Sequence, residues 1–380
     1  MKLVFASDSF KGSLSSKRII SLLTQAAQTV FPHAQTQGVL MADGGEGTME
    51  ALVEQLGGKR KEVLVHDPLF HPVQSSYGIL PGETAIIEMA AASGLPMVPS
   101  DKRDPSQTTT FGTGELIADA LSKGIQKIVI AIGGSATNDG GMGMLSALGV
   151  RFMDLEGKQL RGCGDDLEKI HSIDVSHLHP KARDTEFIVL CDVNNPLLGP
   201  QGATYTFSAQ KGADSAMQER LEAGMAHYAA FVEEVTGVSG KSFPGSGAAG
   251  GLGFGLITFL GAKLQSGIET VLDLIGFDKL LQDADLVVTG EGRMDWQSAY
   301  GKVPAGVASR CKKWGIPVVA VVGGLLPGYE KIYECGIESI VTTVNGVMGL
   351  EEALAQSENL YLDAAIRLFR GIRCGMKLQN

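Results

Sequence analysis

Four apolar runs in this chain end in the same chemistry. "LVFASDSFKGS" places Asp8 and Lys11 after the first, and "VLMADGGEGT" places Asp43 and Glu46 after the second. "IVLCDVNNP" places Asp192 and Asn194 after the third, and "LVVTGEGRMDWQS" places Glu291, Arg293 and Asp295 after the fourth. One acid after a strand is an ordinary turn or helix-capping residue. Four clusters that mix acids with glycine and a few cations form a donor set suited to Mg2+, hydroxyls and phosphate.

A fifth run, "KIVIAIGGSATNDGGMGMLSALG", covers residues 127–149 and ends in glycines, hydroxyls, an asparagine and Asp139. Glycines let successive backbone amides point into one concave nest, and such nests bind anions. A helical pattern resumes just behind, whose N-terminus would add partial positive charge. Ser135, Thr137 and Asn138 supply neutral hydrogen bonds. The loop therefore reads as a phosphate cradle built on Gly133, Gly134, Ser135, Asn138 and Asp139, against the alternative of a tight strand-to-helix turn that binds nothing. It holds no lysine, so Lys11 or Arg293 would have to supply the cation.

The elements that must position these residues follow from periodicity. The run 3–7 reads as a strand. Ile19, Leu22, Leu23, Ala26, Ala27 and Val30 then recur at helical spacing, with Ser13 or Ser15 as N-cap and Pro32 closing the segment. A second strand over 38–42 leads to a helix over 48–56 stopped by two glycines. Between 61 and 90 the pattern alternates and turns over at Pro68 and at Pro81–Gly82, which reads as antiparallel hairpins. A helix over 113–123 ends at Gly124, and strands follow at 128–132 and 187–191. Three more strands, at 285–290, 317–322 and 339–344, restore the strand–helix rhythm.

Two strand–helix units at the front and three at the back predict a doubly wound parallel sheet of the flavodoxin-like kind. The expected fold class is α/β: a discontinuous flavodoxin-like domain, residues 1–60 and 280–380, interrupted by an inserted mixed-sheet α/β domain, residues 61–279. The active site is expected in the cleft between them, at the carboxyl ends of the strands.

Composition narrows the function classes. Apolar residues are 44% and charged residues 19% of 380, enough for two packed cores. A net charge of −10 argues against nucleic-acid or anionic-membrane partners. Five scattered cysteines without a CxxC pair, and an N-terminus too soon polar for a signal peptide, place the expected protein in the cytoplasm. The uncharged run 242–262 holds seven glycines and a proline, so it reads as a glycine-rich loop leading into a buried helix. "SGKS" at 239–242 is not a P-loop, because Val235 stands where its first glycine is required. "GSGAAG" at 245–250 follows no strand, which removes a dinucleotide reading. There is no HExxH and no GxSxG. The sequence leaves the oligomeric state open.

These motifs resemble the class I glycerate kinase family, the bacterial glycerate 2-kinase type. "DSFKGS", "ADGGEGT", "IEMAAASGL", "GTGELI", "IGGSATNDGG", "CDVNNPL", "GAAGGLGFGL" and "TGEGRMDWQSAYGKVPAGVA" stand in family order from Asp8 to Ala308. One departure is Asn194, where many relatives carry another residue. The resemblance implies transfer of the ATP γ-phosphoryl group to a hydroxyl of D-glycerate, with Mg2+, giving 2-phosphoglycerate. It also implies a place in glyoxylate, glucarate or galactarate breakdown. Physical roles can then be assigned. Arg293 suits a bidentate grip on the substrate carboxylate, and Lys11 suits phosphate oxygens. Ser9 and Asp43 fall to the substrate, Asp192 to the base, and Glu291 or Asp295 to Mg2+. The alternative is a non-catalytic binder or sensor of small hydroxy acids on the same architecture.

Overall fold

The structure, a computed structural model, describes residues 1–378. Among them the strands are β1 (Lys2–Phe5), β2 (Gln35–Gly38), β3 (Lys59–His66), β4 (Pro72–Leu80), β5 (Thr84–Glu88), β6 (Lys127–Ala131) and β7 (Arg151–Met153). They continue with β8 (Ser172–Asp174), β9 (Glu186–Leu190), β10 (Lys263–Gln265), β11 (Leu286–Thr289), β12 (Val318–Val322) and β13 (Ile337–Thr342). The chain divides into two compact units: Met1–Asp43 with the chain from Gly267 onward, and Gly44–Ser266.

The first unit is built on one sheet, ordered β13-β12-β11-β1-β2, in which every neighbouring pair is parallel. Numbered by appearance within the sheet, that order is 2-1-3-4-5, the flavodoxin-like winding expected from the sequence. All five residues of β12 are buried, as befits an inner strand of a parallel sheet covered on both faces. The helix Ser16–Val30 starts at Ser15, whose side chain accepts from the Arg18 amide, and buries Ile19, Leu22, Leu23, Ala26, Ala27 and Val30. Burying each of the larger side chains contributes roughly 2 kcal/mol. They share a core with Tyr361, Ala365 and Phe369 of the helix Ser357–Leu378.

One strand lies three residues earlier than its apolar run suggests. β2 is the polar edge segment "QTQG", paired to β1 from Lys2↔Gln35 to Phe5↔Gly38. Val39, Met41 and Ala42 are buried just beyond it, and the Val39 amide donates to the carbonyl of Phe5 as the ladder ends. Hydrophobicity marks burial there, and the length of β1 decides where pairing stops.

The second unit carries a six-stranded mixed sheet, ordered β10-β9-β6-β5-β4-β3. β3, β4 and β5 are antiparallel hairpin strands, while β5, β6, β9 and β10 run parallel. The first hairpin turns at Asp67, whose carboxylate accepts from the amides of Leu69 and His71. The second turns through Gly82 and Glu83, both at positive φ. In the uncharged run, Ala249, Gly250 and Gly251 are left-handed, and a buried helix then continues to Leu260. No helix of the described residues is long and apolar enough to cross a membrane.

Candidate active site

In the first unit the carboxyl ends of the parallel strands open onto a cavity of ≈ 720 Å³. The tip of β1 contributes Asp8, Ser9 and Lys11, the segment after β2 contributes Asp43, and the tip of β11 contributes Glu291, Arg293 and Asp295. Seven residues singled out in the sequence, Asp8, Ser9, Lys11, Asp43, Glu291, Arg293 and Asp295, thus line one cavity. Lys302 joins them.

The local folding of these tips is specific. Phe10 and Leu14 exchange backbone hydrogen bonds around Gly12, a turn that leaves Lys11 exposed. The Asp8 amide donates to the carbonyl of Gly290, tying the tips of β1 and β11 together. A Cβ at Gly290 would lie 1.9 Å from the carbonyl oxygen of Val321, so glycine is required where the end of β11 passes β12. Asp295 caps the turn Trp296–Ala299 by accepting from the Gln297 amide.

Charge is concentrated and poorly hydrated here. Asp8 is pushed up to about 6, chiefly by burial and then by Asp43, against the Ser9 amide and Lys11. Burial also raises Glu291, whose Oε2 lies 3.4 Å from Lys302 Nζ. Glu291 Oε1 is buried and has no hydrogen-bond partner among the described residues. An orphaned carboxylate oxygen among other carboxylates suits a hard cation. Among the described residues no three His, Cys, Asp or Glu side chains form a ready-made metal cage. Mg2+ ordinarily needs only one or two carboxylates, with phosphate oxygens and water completing its shell.

The glycine-rich loop lies in the second unit, after β6. Its anion proves to be its own aspartate. Asp139 is fully buried, and its carboxylate accepts from the Thr110 amide and hydroxyl at 2.7 Å each, the Gly141 amide at 3.1 Å and the Gly143 amide at 3.2 Å. Burial raises its carboxyl above the ordinary range against those four donors. The expected helix dipole behind the loop is corrected accordingly. The helix Met142–Ala147 is six residues long, and Asp139 already takes amides at its start. A saturated carboxylate cannot donate to phosphate and repels it, so Asp139 shapes the loop from within.

Gly140 and Gly141 have an internal duty too. The Gly140 amide donates to the carbonyl of Gly250, and a Cβ at Gly250 would lie 2.0 Å from the carbonyl oxygen of Thr137. The two glycine-rich stretches of the sequence thus pack backbone to backbone. What stays open is the near half of the loop. Gly133 and Gly134 are exposed, and a Cβ at Gly133 would meet nothing within 4 Å. Ser135 is 8% exposed and Asn138 is fully buried, donating to Thr204 Oγ1. Under the loop lies Lys211, a lysine no motif pointed to. Asp192 stands exposed just past the end of β9, the parallel neighbour of β6, so it and the loop share one sheet edge.

A family model described as the glycerate kinase family matches residues 3–373. The chain belongs to the glycerate kinase family. It is 44% identical to a glycerate kinase of Bacillus subtilis (strain 168), covering 100% of this chain and 98% of the relative. It is 43% identical to a glycerate 2-kinase of Escherichia coli (strain K12), covering 99% of each. A crystal structure provisionally assigned as glycerate kinase 2 from Salmonella typhimurium LT2 superposes with a TM-score of 0.91, at 42% identity over 99% of each chain.

One stability prediction for this glycerate kinase family member arises from the cavity. Asp8 titrates near 6 when folded, against an ordinary 3.8. A carboxyl raised in this way favours the fold only while it is protonated. Its cost therefore grows as pH rises from about 4 to about 6, and reaches about 3 kcal/mol above that. Asp8→Asn should raise the melting temperature by roughly 5 °C or more at about pH 7.5, and by little at about pH 4. Calorimetry without added metal checks this, and a lower melting temperature at both pH values would refute it.

Proposed function

We propose that this chain transfers the γ-phosphoryl group of ATP to a hydroxyl of D-glycerate, giving 2-phosphoglycerate. The observation that carries the reading is the cavity at the strand tips of the first unit, where Lys11 and Arg293 face Asp8, Asp43 and Glu291 in a chain that belongs to the glycerate kinase family throughout its length. Phosphoryl transfer asks for positioning and charge neutralisation more than for covalent help. That the Escherichia coli relative is a glycerate 2-kinase favours the 2-hydroxyl.

Arg293 offers the substrate carboxylate a two-pronged donor, and Ser9 and Asp43 bind glycerate hydroxyls. Lys11 meets phosphate oxygens. The open half of the loop, Gly133–Ser135, receives nucleotide phosphates through backbone amides, with Asn138 and Asp139 holding its shape from behind. Asp192 takes the proton of the attacking hydroxyl. Glu291, with Asp295, would hold Mg2+, whose chemistry is to neutralise charge on the phosphate oxygens. The five cysteines are all free thiols, which suits a reducing cytoplasm.

The test is ATP consumption by the purified chain with D-glycerate and Mg2+, with L-glycerate as comparison. The product should be consumed by enolase without a mutase, which accepts the 2-phosphate and not the 3-phosphate. Binding of glycerate without ATP turnover would replace the kinase reading with that of a hydroxy-acid sensor.

A further inference from the structure

Lys211 closes the short turn Ala209–Lys211 and is 2% exposed. Its Nζ donates to Ser135 Oγ at 2.8 Å and to the Thr137 carbonyl at 2.6 Å, and neither partner carries a charge. A buried ammonium is costly unless a negative group compensates it. Asp139 attracts it from a distance, yet that carboxylate is already committed to its four donors. Two more buried atoms of the same loop, Thr137 Oγ1 and Asn138 Oδ1, have no hydrogen-bond partner among the described residues. Orphaned groups of this kind are normally met by water or by a ligand.

The geometry puts this incomplete charge directly behind the open end of the loop. Gly133 and Gly134 are exposed. Ser135 Oγ accepts from the ammonium, so its own O–H points elsewhere and is a stronger donor for being polarised. An anion over Gly133–Ser135 would meet that hydroxyl and supply the charge the lysine lacks. We propose that Lys211 is the cation of an anion subsite at Gly133–Ser135, acting through the Ser135 hydroxyl on a phosphate oxygen of the bound nucleotide. This rests on the reading of the loop as the nucleotide-phosphate site, and it makes Lys211 a positioning residue. Burial lowers Lys211 to about 7, which agrees with a group whose counter-charge arrives with the ligand.

The experiment compares Lys211→Met, Ser135→Ala, their double variant and Gly133→Glu, with steady-state kinetics for MgATP and D-glycerate separately. Lys211→Met should raise the KM for MgATP by about tenfold or more, the size of a charge-assisted hydrogen bond, and leave the D-glycerate KM within about twofold. Ser135→Ala should shift the same constant at least as much, because it removes the hydroxyl through which the lysine acts, and the double variant should be no worse than Ser135→Ala alone. A folded Lys211→Met with an unchanged MgATP KM, or with both constants raised in parallel, overturns the proposal. Should Lys211→Met not fold, an unchanged MgATP KM in Ser135→Ala overturns it equally. Gly133→Glu places a carboxylate where there is room for it. If only Gly133→Glu raises the MgATP KM, the loop reading stands and the role of Lys211 fails. If all leave it unchanged, both fail.

Discussion

Asp192→Asn is expected to lower kcat by about 10²–10⁴ while leaving the D-glycerate KM largely intact, because the amide keeps the size and hydrogen bonding of the carboxylate and removes only the proton acceptor. The residue stands exposed at the tip of β9, so the substitution disturbs no packed core. A displaced cation could mimic the effect, so kcat should be measured across a Mg2+ titration. A loss that excess Mg2+ restores would assign Asp192 to metal binding. Near-normal kcat at all Mg2+ levels would remove Asp192 from the reaction. Asp8, raised to about 6 in the first unit's cavity, would then be the next carboxylate to test as base.

Arg293→Lys should raise the D-glycerate KM by roughly ten- to hundredfold, with a smaller effect on MgATP. Glycerate is small, and its carboxylate is its one fixed charge. A guanidinium offers two parallel donors and fixes orientation as well as position, whereas an ammonium supplies the charge alone. Arg293 is exposed on the rim of the cavity, so its replacement should leave the melting temperature where it was. An unchanged D-glycerate KM in Arg293→Lys would show that the carboxylate is held elsewhere.

The parts legible in the sequence are those governed by short-range rules. The helix Ser16–Val30 buries the six residues its spacing marked, and Thr48–Leu56 ends at a left-handed Gly57. The hairpins of β3, β4 and β5 turn at Pro68 and at Pro81–Gly82, as predicted. Seven residues singled out in the sequence meet in one cavity because parallel strands bring their carboxyl ends to one edge. The less legible parts depend on what faces what. "GGSATNDGG" looks like an anion nest, but only the fold shows that Gly141 and Gly143 turn their amides to the loop's own Asp139. Half of its glycines answer to "GAAGGLGFG", more than a hundred residues downstream, through backbone contact. Lys211 sits in "SAQKGADS", which has no pattern to betray a buried ammonium, and its role emerges only from its distances to Ser135 and Thr137.

The first sheet also sets an order of events during synthesis. β1 is a central strand, flanked by β2 on one side and by β11 on the other, and its residues Leu3–Phe5 pair with Leu286–Val288. Its second neighbour is therefore translated long after it. A ribosome working at about 5–20 residues per second needs on the order of ten seconds or more to cover that interval. Throughout it, the nascent strand pair β1–β2 and the apolar face of the helix Ser16–Val30 lack the partners that bury them. The contiguous second unit has all six of its sheet strands in hand before β11 is made. β1 is thus made long before its second neighbour closes over it, and it is the segment of this sheet that a nascent-chain chaperone would hold longest.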